Sequence, residues 1–276
     1  MATPPIDVAS LVTKANFSPE TEAKLTPLLD AAINKSSSSS TDVEAAAAAA
    51  IDEACPRDKD AESFLWSLWN LLISISKRVP LDDERIDSLV GIVTALKAKQ
   101  GDAVEIWGSA HSLWSDLPLF GAVMREAWNG NPDFNGSPEE AAAKVAPWLS
   151  LNSFAARLLA ASAQSWTNFA LWELRDGLEE PPSNDEARDT HLTAASEWIV
   201  QAGRVLYDEV RKDVQLGERD ARALGPGSLL EGGGSGFNRQ RWTFWNKRLR
   251  ELSAEASAET KARTEQALEV MDSLEA

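Results

Sequence analysis

Seven charged or polar side chains lie in segments that otherwise consist mostly of apolar and aromatic residues, and they are the candidates for chemistry. They are Arg125, Glu126, Arg157, Asn168, Glu173, Arg175 and Arg248. A carboxyl group enclosed by apolar groups has a raised pKa and can act as a base, and an arginine can hold an acidic ligand. One interpretation is therefore a tryptophan-walled pocket around Glu173 that binds a small molecule. The other, which we favour, is a set of buried ion pairs that fix the register of the helices.

The helix that must position Glu173 is predicted within residues 165–180, SWTNFALWELRDGLEE. Its helical wheel is apolar on most sides, which is typical of a helix that is buried on most sides. Glu173 projects toward the aromatic side, so we predict that it is buried. A narrow polar strip remains, and Glu179 belongs to it, so we predict that Glu179 is exposed. The strip consists of Asn168, Arg175 and Glu179.

An unpaired buried carboxylate costs several kcal/mol, so we expect Glu173 to have either an arginine partner or a raised pKa. The candidate partners are Arg125, Arg157 and Arg248. It follows that Glu173→Leu should be less well tolerated than any change at Glu179, because it would leave a buried arginine without its partner.

Metal chemistry has little support in the sequence. His111 and His191 are the only histidines, and neither follows a glutamate by three residues, which excludes the paired Glu-x-x-His motifs of a di-iron site. The motif Asn131-x-Asp133-x-Asn135-Gly136 begins like a calcium loop, but Ala142 stands where a bidentate glutamate is needed. We interpret that motif as a turn, and we predict no metal and no cofactor.

The sequence gives equally little support for nucleophilic catalysis. Cys55 is the single cysteine, and it lies at a predicted helix end, where nothing lowers its pKa. No serine stands in a G-x-S-x-G motif. We predict an inert thiol and no catalytic residue.

A glycine-rich loop is followed by a basic segment over residues 239–250. Glycines before a helix start can form an anion-binding nest, and tryptophans between arginines can stack on nucleic-acid bases. However, Trp242 and Trp245 share a helix face with Leu249, which places them in the core. We therefore predict a flexible connector at Gly232–Gly236, and arginines that pair with this chain's own carboxylates.

The composition limits the class of protein. The chain has 276 residues, 43 % hydrophobic and 25 % charged, with 11 tryptophans and a net charge of −16. Such an acidic protein is repelled by phosphate backbones and by anionic membranes, so we predict no nucleic-acid and no membrane partner. The N-terminus resembles no secretory signal and no run is long enough to span a membrane, so we predict a soluble protein of the cytoplasm or nucleus.

Apolar residues recur with a period near 3.6 in nearly every segment, and we find no convincing strand. The predicted fold is all-α, an irregular multi-helix bundle of about nine or ten helices with a tryptophan-rich core. Residues 1–40 are predicted to form a flexible arm, one helix and a linker at the five-serine run Ser36–Ser40. Residues 41–276 are predicted to form a single all-helical domain.

Several aromatic segments carry a family resemblance. In order they read LWSLWNLL, LWSDLPLFGAVMREAWN, LNSFAARL, WTNFALWELRDGLE, AASEWIVQAG and GFNRQRWTFWNKRL. Over roughly residues 60–255 the chain resembles an uncharacterised fungal family, the domain of unknown function 3632. The resemblance implies an all-helical fungal protein and brings no catalytic residues.

These observations favour an intracellular interaction or scaffold protein without catalytic activity, acting on an unknown protein partner. The alternative is a small-molecule-binding module, or an enzyme, with its pocket around Glu173 and the arginines.

Overall fold

A computed structural model of the chain describes residues 3–34, 40–100, 102–212, 214 and 216–276. These residues form twelve helices and one two-stranded hairpin, and the chain is 67 % helical. The all-α prediction is therefore confirmed, and the number of helices is slightly higher than predicted.

The elements follow one another along the chain. They are α1 Val8–Lys14, α2 Pro19–Asn34, α3 Ser40–Ala54, α4 Ala61–Ser76, α5 Arg85–Lys97, β1 Ala103–Ile106, β2 Ser109–Ser112, α6 Phe120–Trp128, α7 Pro138–Ala160, α8 Thr167–Leu178, α9 Asp185–Lys212, α10 Glu218–Ala223, α11 Arg239–Ser253 and α12 Ala258–Glu275. None of the helices in the described ranges is both long and apolar enough to cross a membrane.

The chain divides into two compact units. The first comprises Met1–Asn131 and Ala146–Phe154, and the second comprises Pro132–Val145 and Ala155–Ala276. The predicted division into residues 1–40 and 41–276 stays a prediction, because a division by contacts does not measure which part folds alone.

The first unit begins with α1, a helix that the sequence analysis did not predict. Asp7 caps it by accepting a hydrogen bond from Ser10 N. The Asn34 side chain holds the segment before it, accepting from Ile6 N at 2.9 Å and donating to Ile6 O at 2.8 Å. The flexibility predicted for the arm stays a prediction. In the five-serine run, Ser36–Ser39 lie outside the described residues and Ser40 begins α3.

Trp69 of α4 is the centre of an aromatic cluster in the first unit. Its ring stacks on Phe120 with 4.3 Å between centroids and meets Trp114 edge-on at 6.5 Å. Its Nε1 donates to Pro118 O at 2.8 Å, so the indole is satisfied although fully buried. The predicted tryptophan-rich core is thus present here.

The hairpin corrects the expectation that the chain has no strand. β1 and β2 pair antiparallel from Ala103↔Ser112 to Ile106↔Ser109. Val104 and Ile106 alternate inward and are buried. The strands are only four residues long, which is too short for alternation to stand out in the sequence.

In the second unit, α9 contacts α8 on one side and α12 on another. Five residues of α9 that are spaced by three and four form a buried seam: Leu192, Ala195, Ile199, Ala202 and Leu206. The contacts with α12 include two hydroxyl pairs, Thr193 with Thr260 at 3.1 Å and Ser196 with Thr264 at 3.3 Å.

Pro147 and Asn238 both bear on where a helix begins or ends. Pro147 lies inside α7, which continues through it. Asn238 caps α11 by accepting a hydrogen bond from Arg241 N at 2.9 Å. Trp242 and Trp245 are fully buried, which confirms that they belong to the core.

Candidate functional site

The seven predicted site residues differ widely in exposure. Glu173 is buried, with 3 % of its surface exposed, as the helical wheel predicted. Half-buried are Arg157, Asn168, Arg175 and Arg248, whereas Arg125 and Glu126 are exposed. Arg125 and Glu126 belong to the first unit and the other five to the second.

Two of the arginines have carboxylate partners of their own. Arg175 Nε lies 3.3 Å from Asp176 Oδ1. Arg248 Nη1 lies 2.6 Å from Glu251 Oε2, and its Nε donates to Leu178 O at 3.4 Å. A binding role for the seven residues stays a proposal.

Glu179 and Arg241 form an ion pair in the interior of the second unit, and neither residue has exposed surface. Arg241 Nε donates to Glu179 Oε1 at 2.7 Å and its Nη2 donates to Oε2 at 2.9 Å. This is the bidentate geometry that gives an arginine–carboxylate pair its strength. The prediction that Glu179 is exposed was wrong, so we no longer expect changes at Glu179 to be milder than Glu173→Leu.

The helical wheel failed at Glu179 because a wheel does not show which distant segments cover a side chain. Glu179 follows α8 as its C-cap, and Gly227, Arg241 and Trp245 cover its carboxylate. Arg241, its partner, is 62 residues away in the sequence.

The Glu179 carboxylate is saturated with donors. Besides the two bonds from Arg241, its Oε1 accepts from Trp245 Nε1 at 2.6 Å and its Oε2 accepts from Gly227 N at 2.7 Å. The Arg241 guanidinium also lies over the Trp245 ring, 5.5 Å from the centroid. Burial lowers the pKa of Arg241, and the Glu179 carboxylate opposes that effect. A carboxylate with four donors and no exposed surface is built for structure rather than for proton transfer.

The same pair holds the glycine-rich loop. Arg241 Nη1 donates to Leu224 O at 2.8 Å and to Gly236 O at 3.2 Å. Glu179 O accepts from Leu229 N at 2.8 Å. A Cβ on Gly227 would lie 2.6 Å from Glu179 O, so only glycine permits this approach. The loop is therefore tied down at several points, and Arg241 is committed to Glu179 rather than to an external anion.

Two further cations of the basic segment pair with carboxylates of the chain, as predicted. Arg250 Nη2 lies 2.8 Å from Asp272 Oδ1, and Lys247 Nζ lies 3.6 Å from Glu251 Oε1. These pairs account for much of the local positive charge.

The asparagine-rich motif forms the turn that its sequence indicates. Asn135 N donates to Asp133 Oδ1 at 3.0 Å, and Gly136 N donates to Asp133 O at 3.3 Å. Over the described ranges, no group of three or more His, Cys, Asp or Glu side chains is placed to hold a metal ion.

Cys55 is buried at the end of α3, and burial raises its pKa to about 12, although the Arg57 guanidinium acts in the opposite direction. Because thiolate is the reactive form, we expect the native thiol to react with a disulfide reagent at pH 8 about a thousandfold more slowly than the unfolded one. Reaction rates measured with and without denaturant check this. Equal rates in both states would contradict the buried position of Cys55.

His191 of α9 packs against Phe134 with 5.5 Å between ring centroids, and its Nδ1 has no hydrogen-bond partner among the described residues. Burial lowers the pKa of His191, and the charge of Asp176 opposes that effect.

The lowered pKa predicts an acid sensitivity. Below about pH 6.5 the unfolded chain binds a proton at His191 that the folded protein does not, so stability falls with pH by up to about 1.4 kcal/mol per pH unit. We expect His191→Gln to lose less stability than the wild type between pH 7 and pH 5.5 in urea denaturation. An equal loss in both proteins would show that His191 titrates normally.

Trp107 is the most exposed large apolar side chain in the described part of the chain, at 67 %. It occupies the turn between β1 and β2 with φ 52°, followed by Gly108 with φ 75°. Positive φ at both central residues is the geometry of a type I′ turn, which asparagine and glycine favour and which strains a bulky residue. The indole is oriented by one bond, from Nε1 to Glu62 Oε1 at 3.2 Å.

Comparison with known proteins gives a family. Residues 69–249 match the family described as Protein of unknown function (DUF3632), which is more than half of the chain. The chain belongs to this family. No curated protein and no solved structure matches it.

The region matched by the DUF3632 model contains the two main features of the structure described above. It includes the Glu179–Arg241 pair and the Trp107 turn. Sequence reasoning missed both. The only signal for the turn was the Trp107-Gly108 dipeptide between short apolar stretches, and nothing in the sequence linked Glu179 to Arg241. The fungal origin stays a prediction.

Proposed function

We propose that this DUF3632 protein acts inside the cell as an interaction protein without catalytic activity, and that it contacts its protein partner through Trp107. The observation that supports the proposal is an exposed tryptophan in a left-handed turn position. Tryptophan is the residue type that most often dominates the binding energy of protein interfaces.

The conformation of Trp107 strengthens this argument. A bulky residue at φ 52° costs about 1–3 kcal/mol of strain, which asparagine would largely avoid. Since 67 % of the side chain is exposed, packing within the chain offers little compensation. A binding role accounts for a residue that stability alone would not favour.

The turn that carries Trp107 is anchored to the protein. Val104 and Ile106 hold the hairpin by their buried side chains, and Glu62 Oε1 accepts from the indole Nε1 at 3.2 Å. A residue presented on an anchored turn loses less entropy on binding than one on a mobile segment, which favours affinity.

The chemistry of the interior supports a non-catalytic role. Glu179 and Arg241 saturate each other, and burial raises the pKa of the Cys55 thiol to about 12. The buried ion pair of the second unit is thus engaged within the protein, and the thiol is held in its unreactive protonated form.

The proposal is tested by comparing wild-type and Trp107→Asn proteins as baits in extract of the source organism, with quantitative mass spectrometry. We expect at least one protein to be retained at near-stoichiometric amounts by the wild type and reduced about tenfold or more on the variant, as for an interface hot spot. The same proteins retained equally by both baits would contradict the proposal.

A second candidate is small-molecule binding around Glu173, and the observation that favours it is a carboxylate with 3 % exposure in an aromatic helix. A thermal-shift screen of small carboxylic acids and amines would test it. The expected result is a ligand that raises the melting temperature of the wild type but not that of Glu173→Gln. A screen in which every effect is the same for both proteins would count against it.

A further inference from the structure

The indole ring of Trp107 is largely exposed to a partner. The indole N–H is already engaged by Glu62 Oε1 at 3.2 Å, while 67 % of the side chain is exposed. A partner therefore meets an exposed aromatic ring whose hydrogen-bond donor is already occupied. The face of tryptophan carries negative potential and attracts cations more strongly than any other aromatic side chain.

The charges around the turn have the same sign. Glu62 and Glu105 are both exposed, one beside the indole and the other on the outer face of β1. Glu105 lies opposite the uncharged Ala110, so its partner on the neighbouring strand does not neutralise it. Two exposed carboxylates thus accompany the ring, and one of them accepts the indole N–H.

The cations near the base of the hairpin are already paired. Arg57 contacts Asp102 at 3.2 Å and also binds Asp52, which in turn lies 3.1 Å from Lys99 Nζ. Around the hairpin there are thus four carboxylates and two cations, Arg57 and Lys99. The carboxylates are those of Asp52, Glu62, Asp102 and Glu105. The local charge is negative, in keeping with the net charge of −16.

The apolar surface is too small to bind by area alone. Among the described residues, the other exposed large hydrophobic side chains are Val214 and Leu229, and both belong to the second unit. One tryptophan offers about 150–250 Å², well below the roughly 800 Å² per partner of a standard interface. Specificity at this turn must therefore come from charge and ring chemistry.

We propose that the Trp107 turn, with Glu62 and Glu105, binds a lysine- or arginine-bearing segment of a partner protein, whose cation lies over the indole face between the two carboxylates. This inference rests on the proposed interaction function and adds the chemistry of the partner. The cation gains the attraction of the ring and of a carboxylate whose other oxygen is free to accept a second donor.

The experiment is a selection of random twelve-residue peptides displayed on phage, carried out on immobilised wild-type protein. The selected peptides are then measured by fluorescence anisotropy against the wild type and against Trp107→Asn, Glu62→Gln, Glu105→Gln and Glu269→Gln. Glu269 is exposed on α12 in the second unit, so Glu269→Gln changes the net charge equally without touching the turn.

The expected result is a set of peptides with net positive charge whose binding falls about tenfold or more in Trp107→Asn. Glu62→Gln and Glu105→Gln should each weaken binding about two- to fivefold and reduce its salt dependence, while Glu269→Gln should leave it unchanged.

Two other outcomes separate the inference from the function on which it rests. Peptides that need Trp107 but are neutral or acidic, and that are indifferent to Glu62→Gln and Glu105→Gln, would overturn the cationic partner and leave the interaction function standing. Peptides that bind Trp107→Asn as well as the wild type would overturn both.

Discussion

Replacing Glu179 by leucine is expected to lower the free energy of unfolding by about 3–5 kcal/mol, because it leaves the Arg241 guanidinium charged and buried without its carboxylate. The same change removes the acceptor of Trp245 Nε1 and of Gly227 N. Urea denaturation followed by circular dichroism gives the free energy, and the midpoint and slope should be reported together.

Two further variants make this prediction specific. In the double variant Glu179→Leu with Arg241→Met, we expect the loss to be smaller than the sum of the two single losses by about 1–3 kcal/mol, because neither charge is then left alone. Arg250→Met breaks the half-exposed pair with Asp272 and should cost less than about 1 kcal/mol. A loss at Glu179→Leu no larger than that at Arg250→Met would contradict the structural role of the buried pair.

Gly177→Ala is expected to lower the free energy of unfolding by about 1–3 kcal/mol through overpacking between α8 and α9. A Cβ at this position would lie 2.6 Å from His191 O and 3.0 Å from Ala195 Cβ. Because the first of these is a backbone atom, it can move only if α9 moves. The gain in helix propensity from alanine offsets only part of this cost.

The matched control is Gly217→Ala, where an added Cβ meets no atom within 4 Å. Gly217 precedes α10, a helix without buried residues, so the control should change stability by less than about 0.5 kcal/mol. Equal urea midpoints for the two alanine variants would contradict the close approach of α8 and α9 at Gly177.

The parts of the fold that sequence predicts are those set by local periodicity. The seam of α9 follows from apolar residues spaced by three and four, and the structure buries all of them. The same reasoning placed Trp242 and Trp245 in the core and Glu173 on a buried side of α8. In each case the side chain lies within a regular helix, so the wheel gives its direction correctly.

The parts of the structure that the sequence does not predict depend on contacts between distant segments and on the path of the chain through turns. Glu179 is buried by segments far along the chain, and its partners Gly227 and Arg241 are 48 and 62 residues away. The exposure of Trp107 depends on a turn between two four-residue strands. Most other tryptophans of the chain lie in sequence patterns typical of buried helix faces, and no local pattern predicts that Trp107 is exposed.

The buried groups around Glu179 and the exposed Trp107 have opposite roles. The polar groups around Glu179 are buried and mutually satisfied, so they stabilise the second unit. Trp107 is exposed and strained, and we propose that it serves binding rather than stability. This separation of a structural centre from a contact residue is the central claim.

The most direct test of that claim is the free energy of unfolding of Trp107→Asn. Asparagine suits the φ of 52° at the first central position of the turn, and the lost side chain is mostly exposed. We predict a stability equal to that of the wild type or higher by about 0.5–1 kcal/mol. A loss of more than about 1 kcal/mol would show that Trp107 is held for packing, and it would contradict the assignment of this residue to binding.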